Sequence, residues 1–296
     1  MINSPQAGLP SLPCFLNGEF TRLPDARVSV MDRGFLLGDG VYEVLPAYSG
    51  RLFRFADHMT RLDRSLAEVR IANPNTPDEW KAIATRLLNE HAAAHGAGPQ
   101  SIYLQVTRGV AMRDHAMLEG LTPTVFMMVT AAGLPSTEQR EQGVSCVTGD
   151  DFRWRKAHIK STSLLGAVIA RQISADVGAA ETIMFRDGSL SEGASSNVWV
   201  VKDGAVAGVT RDNLILEGIR YGLMAELCAA AGVPFALRSI SRDEVVSADE
   251  LMLSSAGKEI IAVTRLDGAA VGNGRPGPIY QTLYKGYLRA IAMTPE

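Results

Sequence analysis

The feature that most constrains this chain is a change of hydrophobic period that recurs on both sides of one polar connector. Before about residue 130, and again after residue 143, alternating runs of period two give way to amphipathic stretches of period 3.6. Between the halves lies AAGLPSTEQREQG, residues 131–143, which reads as a linker. Within each half a dipeptide suited to a two-residue hairpin separates apolar runs: Asn17-Gly18 after CFL, and Asp203-Gly204 after NVWVVK. At 296 residues the chain is long enough for two cores. The expected fold class is α+β, with a small N-terminal domain over 1–130, a linker over 131–143 and a larger C-terminal domain over 144–296.

Helices are placed by apolar spacing and by capping signals. FADHMTRLDRSLAEVRI carries Met59, Leu62, Leu66 and Val69 on one face, and Thr76-Pro77-Asp78-Glu79 offers a capping box ahead of Trp80, Ile83, Leu87 and Leu88. SIYLQVTR and TVFMMVT follow as strands. In the second half VSCVTG and RKAHIK read as strands, and TSLLGAVIARQISADVG as a helix with Leu165, Val168, Ile169 and Ile173 on one face. ETIMF adds a strand and IRYGLMAELCAAAG a helix. Ser241 to Glu244 form a second capping box, ELMLSSAGKEIIAV is strand-rich, and GPIYQTLYKGYLRAI is a terminal helix.

Charge and cysteine usage exclude several classes. A net charge of −3 with no basic block gives a nucleic acid or an anionic membrane no electrostatic footing, so small molecules are the expected partners. Cys14, Cys146 and Cys228 are widely spaced, with no CxxC pair, as expected of a reducing compartment, the cytoplasm. MINSPQAGLPSLP lacks the basic and apolar regions of a signal peptide. The uncharged run at 120–137 has an apolar core of only VFMMV between Pro123 and Pro135, which predicts a buried strand rather than a membrane span.

Two motifs carry no chemistry. Gly272-Asn-Gly-Arg-Pro-Gly277 matches GxGxxG, but the chain has no room afterwards for the strand and ribose-binding acid of a dinucleotide site, so a turn before the last helix is expected. His91 and His95 share a helical face, yet no glutamate of HExxH and no third ligand accompany them; no metal site is expected.

The chemistry lies in a dispersed set: Gly38-Asp-Gly-Val-Tyr42-Glu43, Arg61, Arg108 to His115, Ala157-His-Ile-Lys160-Ser, Leu190-Ser-Glu192-Gly-Ala-Ser-Ser-Asn197, Gly218-Ile219-Arg220 and Ser254-Ser255-Ala256-Gly257. A lysine that condenses with a carbonyl must lose its proton, which needs burial or neighbouring positive charge. Only six lysines stand against 23 arginines; Lys160, between Ile159 and an apolar helix, and Lys258 both qualify on residue context alone. In their order, and across nearly the whole chain, these blocks resemble the fold-type IV pyridoxal-phosphate aminotransferases. DGVYEV, YLQVTRG, IKSTSLLGAVIA and EGASSNV are closest to the D-amino-acid aminotransferase pattern.

That resemblance implies pyridoxal 5'-phosphate as cofactor, lying in an interdomain cleft, and Lys160 as its Schiff-base lysine. Glu192 would accept from the pyridine nitrogen, with Arg153 orienting it. The phosphate would meet the amides of Ile219 and Arg220 at a helix start, the Ser255-Ala256 turn, and the charge of Arg61. Relatives often carry hydroxyl residues at the positions of Arg220 and Ala256, so backbone contacts are implied there. Arg113 and His115, with Tyr42, would form a trap for the substrate carboxylate whose side selects the D enantiomer. Asp114 departs from the family pattern, which has a small neutral residue there; Arg108 is expected to be structural. The implied activity is amino transfer from a D-amino acid such as D-alanine to a 2-oxo acid such as 2-oxoglutarate, in a homodimer. The alternatives are a branched-chain L-amino-acid aminotransferase, an aminodeoxychorismate lyase, or a non-catalytic cofactor-binding protein.

Overall fold

Asn17 and Gly18 adopt φ of 50° and 96° and turn β1 (Pro13–Leu16) into β2 (Glu19–Arg22). This hairpin opens the first of two units in a computed structural model that describes residues 8–295. The reading of the N-terminus as lacking a leader rests partly on residues 1–7, which lie outside the described residues.

The first unit continues through α1 (Arg33–Leu37), β3 (Gly40–Tyr48), β4 (Arg51–Leu52), α2 (Phe55–Glu68), α3 (Pro77–His95), β5 (Gln100–Thr107) and β6 (Thr124–Ala131). Its strands form an antiparallel sheet in the order β2-β1-β6-β5-β3-β4. Met59, Leu62 and Leu66 of α2 and Trp80, Leu87 and Leu88 of α3 pack with Val41, Leu45, Ile102, Leu104, Met127 and Val129 in one core. Each such side chain, fully buried, contributes ~1.5–3 kcal/mol. The capping box at Thr76 and Glu79 closes both ways. The apolar run of 120–137 supplies β6, whose Val125, Met127 and Val129 are buried.

The sequence alone assigns Lys160 to the C-terminal domain; the structure gathers Ile159–Ser163 into the first unit. Backbone pairing is the reason. Tyr42 N–H donates to the Lys160 carbonyl at 3.0 Å, Ser161 bridges to Val41, and Thr162 N–H donates to Gly40 at 2.9 Å. The alternation of RKAHIK does not make a strand either: the segment turns, with Ala157 N–H on Asn213 O at 2.9 Å and Asn213 Nδ2 on Arg155 O at 2.7 Å.

The second unit comprises Gly133–His158 and Leu164–Met293. The stretch read as a linker holds α4 (Thr137–Gln142), capped reciprocally by Ser136 and Gln139. β7 (Val144–Asp150), α5 (Leu165–Asp176), β8 (Glu181–Arg186), β9 (Ser189–Gly193), β10 (Asn197–Lys202) and β11 (Ala205–Gly208) follow. Then come α6 (Arg220–Ala231), β12 (Phe235–Leu237), α7 (Arg242–Val246), β13 (Glu250–Ser255), β14 (Glu259–Leu266), β15 (Ala269–Ala270) and α8 (Pro278–Ala292). The strand order is β12-β11-β10-β13-β14-β7-β8-β9, with β15 on β14. Residues of GNGRPG form the turn between β15 and α8.

The apolar face of α5 does not enter this unit's core: Leu165 is 72%, Val168 59% and Ile169 50% exposed. Ala170 and Ser174 are its buried residues, because small side chains let the helix lie close to β8. Among the described residues no helix is long and apolar enough to cross a membrane.

Candidate active site

On β3, Val41, Glu43 and Leu45 are buried, while Tyr42 and Val44 alternate with them on the other face, only half-buried. Tyr42 stacks on Tyr103 with ring centroids 5.8 Å apart, and the Lys160 ammonium lies 4.2 Å from its ring centroid. The Lys160 backbone N–H donates to Ser65 Oγ of α2 at 3.3 Å, so both β3 and α2 fix the lysine's base. No carboxylate among the described residues pairs with that ammonium. Lys258 differs sharply: its Nζ sits 2.9 Å from Glu181 Oε2 and 2.7 Å from Ser195 Oγ. An amine locked to a buried carboxylate is a poor nucleophile, which separates two lysines that residue context leaves equal.

On the opposite face of β3, Glu43 is completely buried and receives Arg61 Nε at 2.7 Å and Nη2 at 2.8 Å, with His58 Nδ1 at 2.7 Å. Burial pushes the Glu43 carboxyl up, but the Arg61 guanidinium and His58 outweigh it and hold the group well below the usual carboxylate range. Arg61 is off the apolar stripe of α2 by sequence, yet it is buried, because Glu43 supplies the countercharge. Sequence reasoning places Glu43 in a candidate block without a role and misses His58. The usable signal is the placement of His58, Arg61 and Ser65 at helical spacing, opposite an acid in a strand.

Arg113 and His115 occupy the irregular segment after β5, both exposed, with Arg113 Nη2 3.5 Å from His115 Nε2. Within this one chain no hydrogen bond or ring contact among the described residues joins either to Tyr42. Asp114 turns its carboxylate back on the loop, accepting from Ala116 N–H at 3.0 Å, and that bond holds its carboxyl below the ordinary aspartate range. The acid between Arg113 and His115 is thereby occupied. Arg108 grips Asp39 through Nε at 2.8 Å and Nη2 at 3.0 Å and donates to the carbonyls of Val69 and Arg70.

In the second unit Glu192, on β9, is buried and held from three sides. Arg153 Nη1 donates at 2.9 Å, Asn197 Nδ2 at 3.2 Å and Leu216 N–H at 3.2 Å. Burial raises its carboxyl to about 7, a rise that Arg153 only partly offsets. Arg153 is itself shared with Asp151, Nε to Oδ1 at 2.9 Å.

Asn197 also donates to Leu216 O at 2.9 Å, and its register partner across β10 and β13 is Ser254. It thus links Glu192 to the approach to α6 and to the strand that ends at Ser255. Gly218 is required here: a Cβ would lie 2.1 Å from Asn197 Oδ1. Ile219 is the N-cap of α6 and, among the described residues, no side chain caps that helix. The Arg220 side chain is buried against α8, Nη2 donating to Tyr287 at 3.1 Å. Ser255 ends β13 and Ala256 begins the turn to β14, with Lys258 N–H on Ser255 Oγ at 3.1 Å.

His91 and His95 lie with rings 4.7 Å apart, and His91 Nδ1 sits 2.9 Å from Gln100 Nε2. Among the described residues no group of three or more His, Cys, Asp or Glu side chains is placed to hold a metal. Cys14, Cys146 and Cys228 are free and buried.

A buried acid whose proton is shared near neutrality suits a basic ring nitrogen, an uncapped helix start suits a phosphate, and an amine free of carboxylates suits condensation with a carbonyl. The chain belongs to the class IV amino-transferase family, whose model matches residues 40–266. It is 37% identical over 277 residues to the D-alanine aminotransferase of Staphylococcus epidermidis, a match spanning 94% of this chain and 97% of that one. It is 38% identical over 275 residues to the D-alanine aminotransferase of Bacillus licheniformis, over 93% and 95%. Among solved structures it is similar to the branched-chain amino acid aminotransferase of Escherichia coli, with a TM-score of 0.85 and 24% identity over 95% of this chain and 94% of that one. The T.th. branched-chain amino acid aminotransferase with pyridoxamine 5'-phosphate has a TM-score of 0.87 at 21% identity, over 97% and 96%. The fold is therefore that of the fold-type IV aminotransferases, and the protein is an aminotransferase.

Proposed function

We propose that this enzyme moves the amino group of a D-amino acid to a 2-oxo acid, converting D-alanine and 2-oxoglutarate to pyruvate and D-glutamate with pyridoxal 5'-phosphate. The observation that carries the reading is the contrast between the two candidate lysines. The Lys160 amine stands over Tyr42 with no carboxylate among the described residues paired to it, whereas Lys258 is held by Glu181. The names of the curated relatives, D-alanine aminotransferases at near full length, support the choice of substrate.

Lys160 would anchor the cofactor, and as a freed amine would take the proton from Cα and later return it, acting as base and then acid. Bound there, the cofactor supplies a sink for the electron pair left on Cα. Glu192 keeps a proton at the ring nitrogen, and Arg153 and Asn197 hold Glu192 in place. The α6 amides at Ile219 and Arg220, the Ser255-Ala256 turn and Arg61 receive the phosphate. Arg113, His115 and Tyr42 hold the substrate carboxylate, the guanidinium by two parallel donors. A homodimer is part of this reading: the exposed Leu165, Val168 and Ile169 of α5 give an apolar row that a second copy would cover, and Arg113 and His115 do not meet Tyr42 within one chain. The buried free cysteines accord with a reducing, cytoplasmic setting.

The test is pyruvate release from D-alanine with 2-oxoglutarate, set beside L-leucine with the same acceptor. Turnover of D-alanine with negligible turnover of L-leucine is expected; equal rates would overturn the D assignment.

A further inference from the structure

The segment from Arg108 to Pro123 contains no helix or strand, only the single bridge of Val110 to Asp32. Yet Arg113 and His115 can grip a carboxylate only if they are held in place, since an error of about 1 Å in a positioning group costs on the order of 10²-fold in rate. Something must order an exposed loop. Its base is tied by backbone pairs, Arg33 N–H donating to Gly109 O at 2.9 Å and Ala111 N–H to Met31 O at 3.3 Å, and by the Arg108 side chain on Asp39 and the Val69 and Arg70 carbonyls.

Its tip is tied by one side chain. The Arg33 guanidinium, 2% exposed, donates through Nη1 to Asp114 O at 2.7 Å and through Nη2 to Ala116 O at 3.0 Å. These carbonyls stand on either side of His115. The third donor, Nε, is given to Asp39 Oδ2 at 2.7 Å, and Arg108 secures the same carboxylate from the other side. Asp39 therefore neutralises and orients the guanidinium, and the Asp114 carboxylate closes the loop from outside on Ala116 N–H. A planar fork with donors in fixed directions can hold two carbonyls and a carboxylate at once, which an ammonium cannot.

We propose that Arg33 is a positioning residue for substrate recognition, fixing the loop that presents Arg113 and His115 so that they receive the substrate carboxylate preorganised. The proposal rests on the reading of those two residues as the carboxylate grip. It also accounts for Asp114, whose carbonyl and side chain both serve the loop.

The experiment uses the full-length holoenzyme with Arg33→Lys, Arg113→Ala and the double variant. It measures kcat and KM for D-alanine, inhibition by propionate as an unreactive carboxylate, and hydrogen exchange over residues 110–117. Arg33→Lys should raise the D-alanine KM and the propionate inhibition constant roughly tenfold while kcat stays within about threefold. Loop exchange should quicken, the cofactor's visible absorbance should not change, and the substitution should add little once Arg113 is alanine. Unchanged KM and propionate inhibition in Arg33→Lys, beside a loss in Arg113→Ala, overturns the proposal and leaves the carboxylate reading standing. Unchanged binding in Arg113→Ala overturns that reading and the proposal with it. If Arg33→Lys fails to fold, Asp114→Ala loosens the same loop with Arg33 intact; faster exchange with unchanged carboxylate binding then overturns the proposal.

Discussion

Arg61 grips Glu43 through two nearly parallel bonds, Nε to Oε1 at 2.7 Å and Nη2 to Oε2 at 2.8 Å, entirely inside the first unit. Removing one partner leaves the other buried and uncompensated, so Glu43→Gln should cost about 3–5 kcal/mol in a denaturant titration. It should also weaken cofactor binding, because Arg61 loses its fixed orientation. The pH sign follows from the lowered carboxyl: relative to an unfolded value near 4.5, this stabilisation is complete above that pH and is lost only as strong acid reaches the folded value. A variant as stable as the parent at pH 7 would refute the structural importance of the pair.

Lys160 and Lys258 should part cleanly under borohydride reduction of the holoenzyme followed by peptide mass analysis. The cofactor is expected on the peptide containing Lys160. Lys160→Ala should abolish turnover, while Lys258→Met should keep the attachment and lose stability, since Glu181 is then left buried without its ammonium. A label on the Lys258 peptide would sink the assignment.

Glu192 gives a pH signature of the opposite sign to Glu43. Its folded value is about 7 against an ordinary 4.5, so the folded state holds the proton more tightly, and the cofactor-free protein should lose stability as pH climbs between those values. The full effect is on the order of 3 kcal/mol. Thermal melts at pH 5 and pH 8 should show the decline in the parent and not in Glu192→Gln. The same variant should lower turnover at least ~10²-fold, because an amide does not hold the ring proton as a carboxylate does.

Gly218→Ala probes the Asn197 hub. The added methyl group would fall 2.1 Å from Asn197 Oδ1, forcing the carboxamide away from Glu192 and from Leu216 O. A loss of about 1–3 kcal/mol in stability is expected, together with weaker retention of the cofactor on dialysis. Retention equal to the parent's would show that Asn197 does not couple the acid to the helix start.

Much of the fold is legible in local chemistry. The Asn17-Gly18 and Asp203-Gly204 hairpins, and the capping boxes at Thr76 and Ser241, follow from residue types whose backbone preferences owe little to distant contacts. Ser136 and Gln139 carry the same signal ahead of α4, inside a stretch whose polarity reads as linker. Legibility fails where a long-range partner decides. Burial of Arg61 depends on Glu43, exposure of the α5 row depends on what its own unit leaves uncovered, and the direction of Arg220 depends on Tyr287, 67 residues away. The candidate site shows the same division. Its residue types stand in recognisable blocks, but the distinction between Lys160 and Lys258 is purely tertiary, because Glu181 is remote from Lys258 in sequence.

The return of Ile159–Ser163 to the first unit makes that unit discontinuous along the chain. During synthesis, the Gly40–Tyr42 end of β3 must wait, its Tyr42 N–H without the Lys160 carbonyl, until the ribosome has made the intervening stretch Gly133–His158 of the second unit. A fragment ending at Ala132 would lack both those backbone bonds and the amine itself. If Lys160 is the cofactor lysine, as proposed, the chemistry arrives only with the chain that closes the N-terminal sheet edge, and a nascent, half-made enzyme has no such lysine to expose.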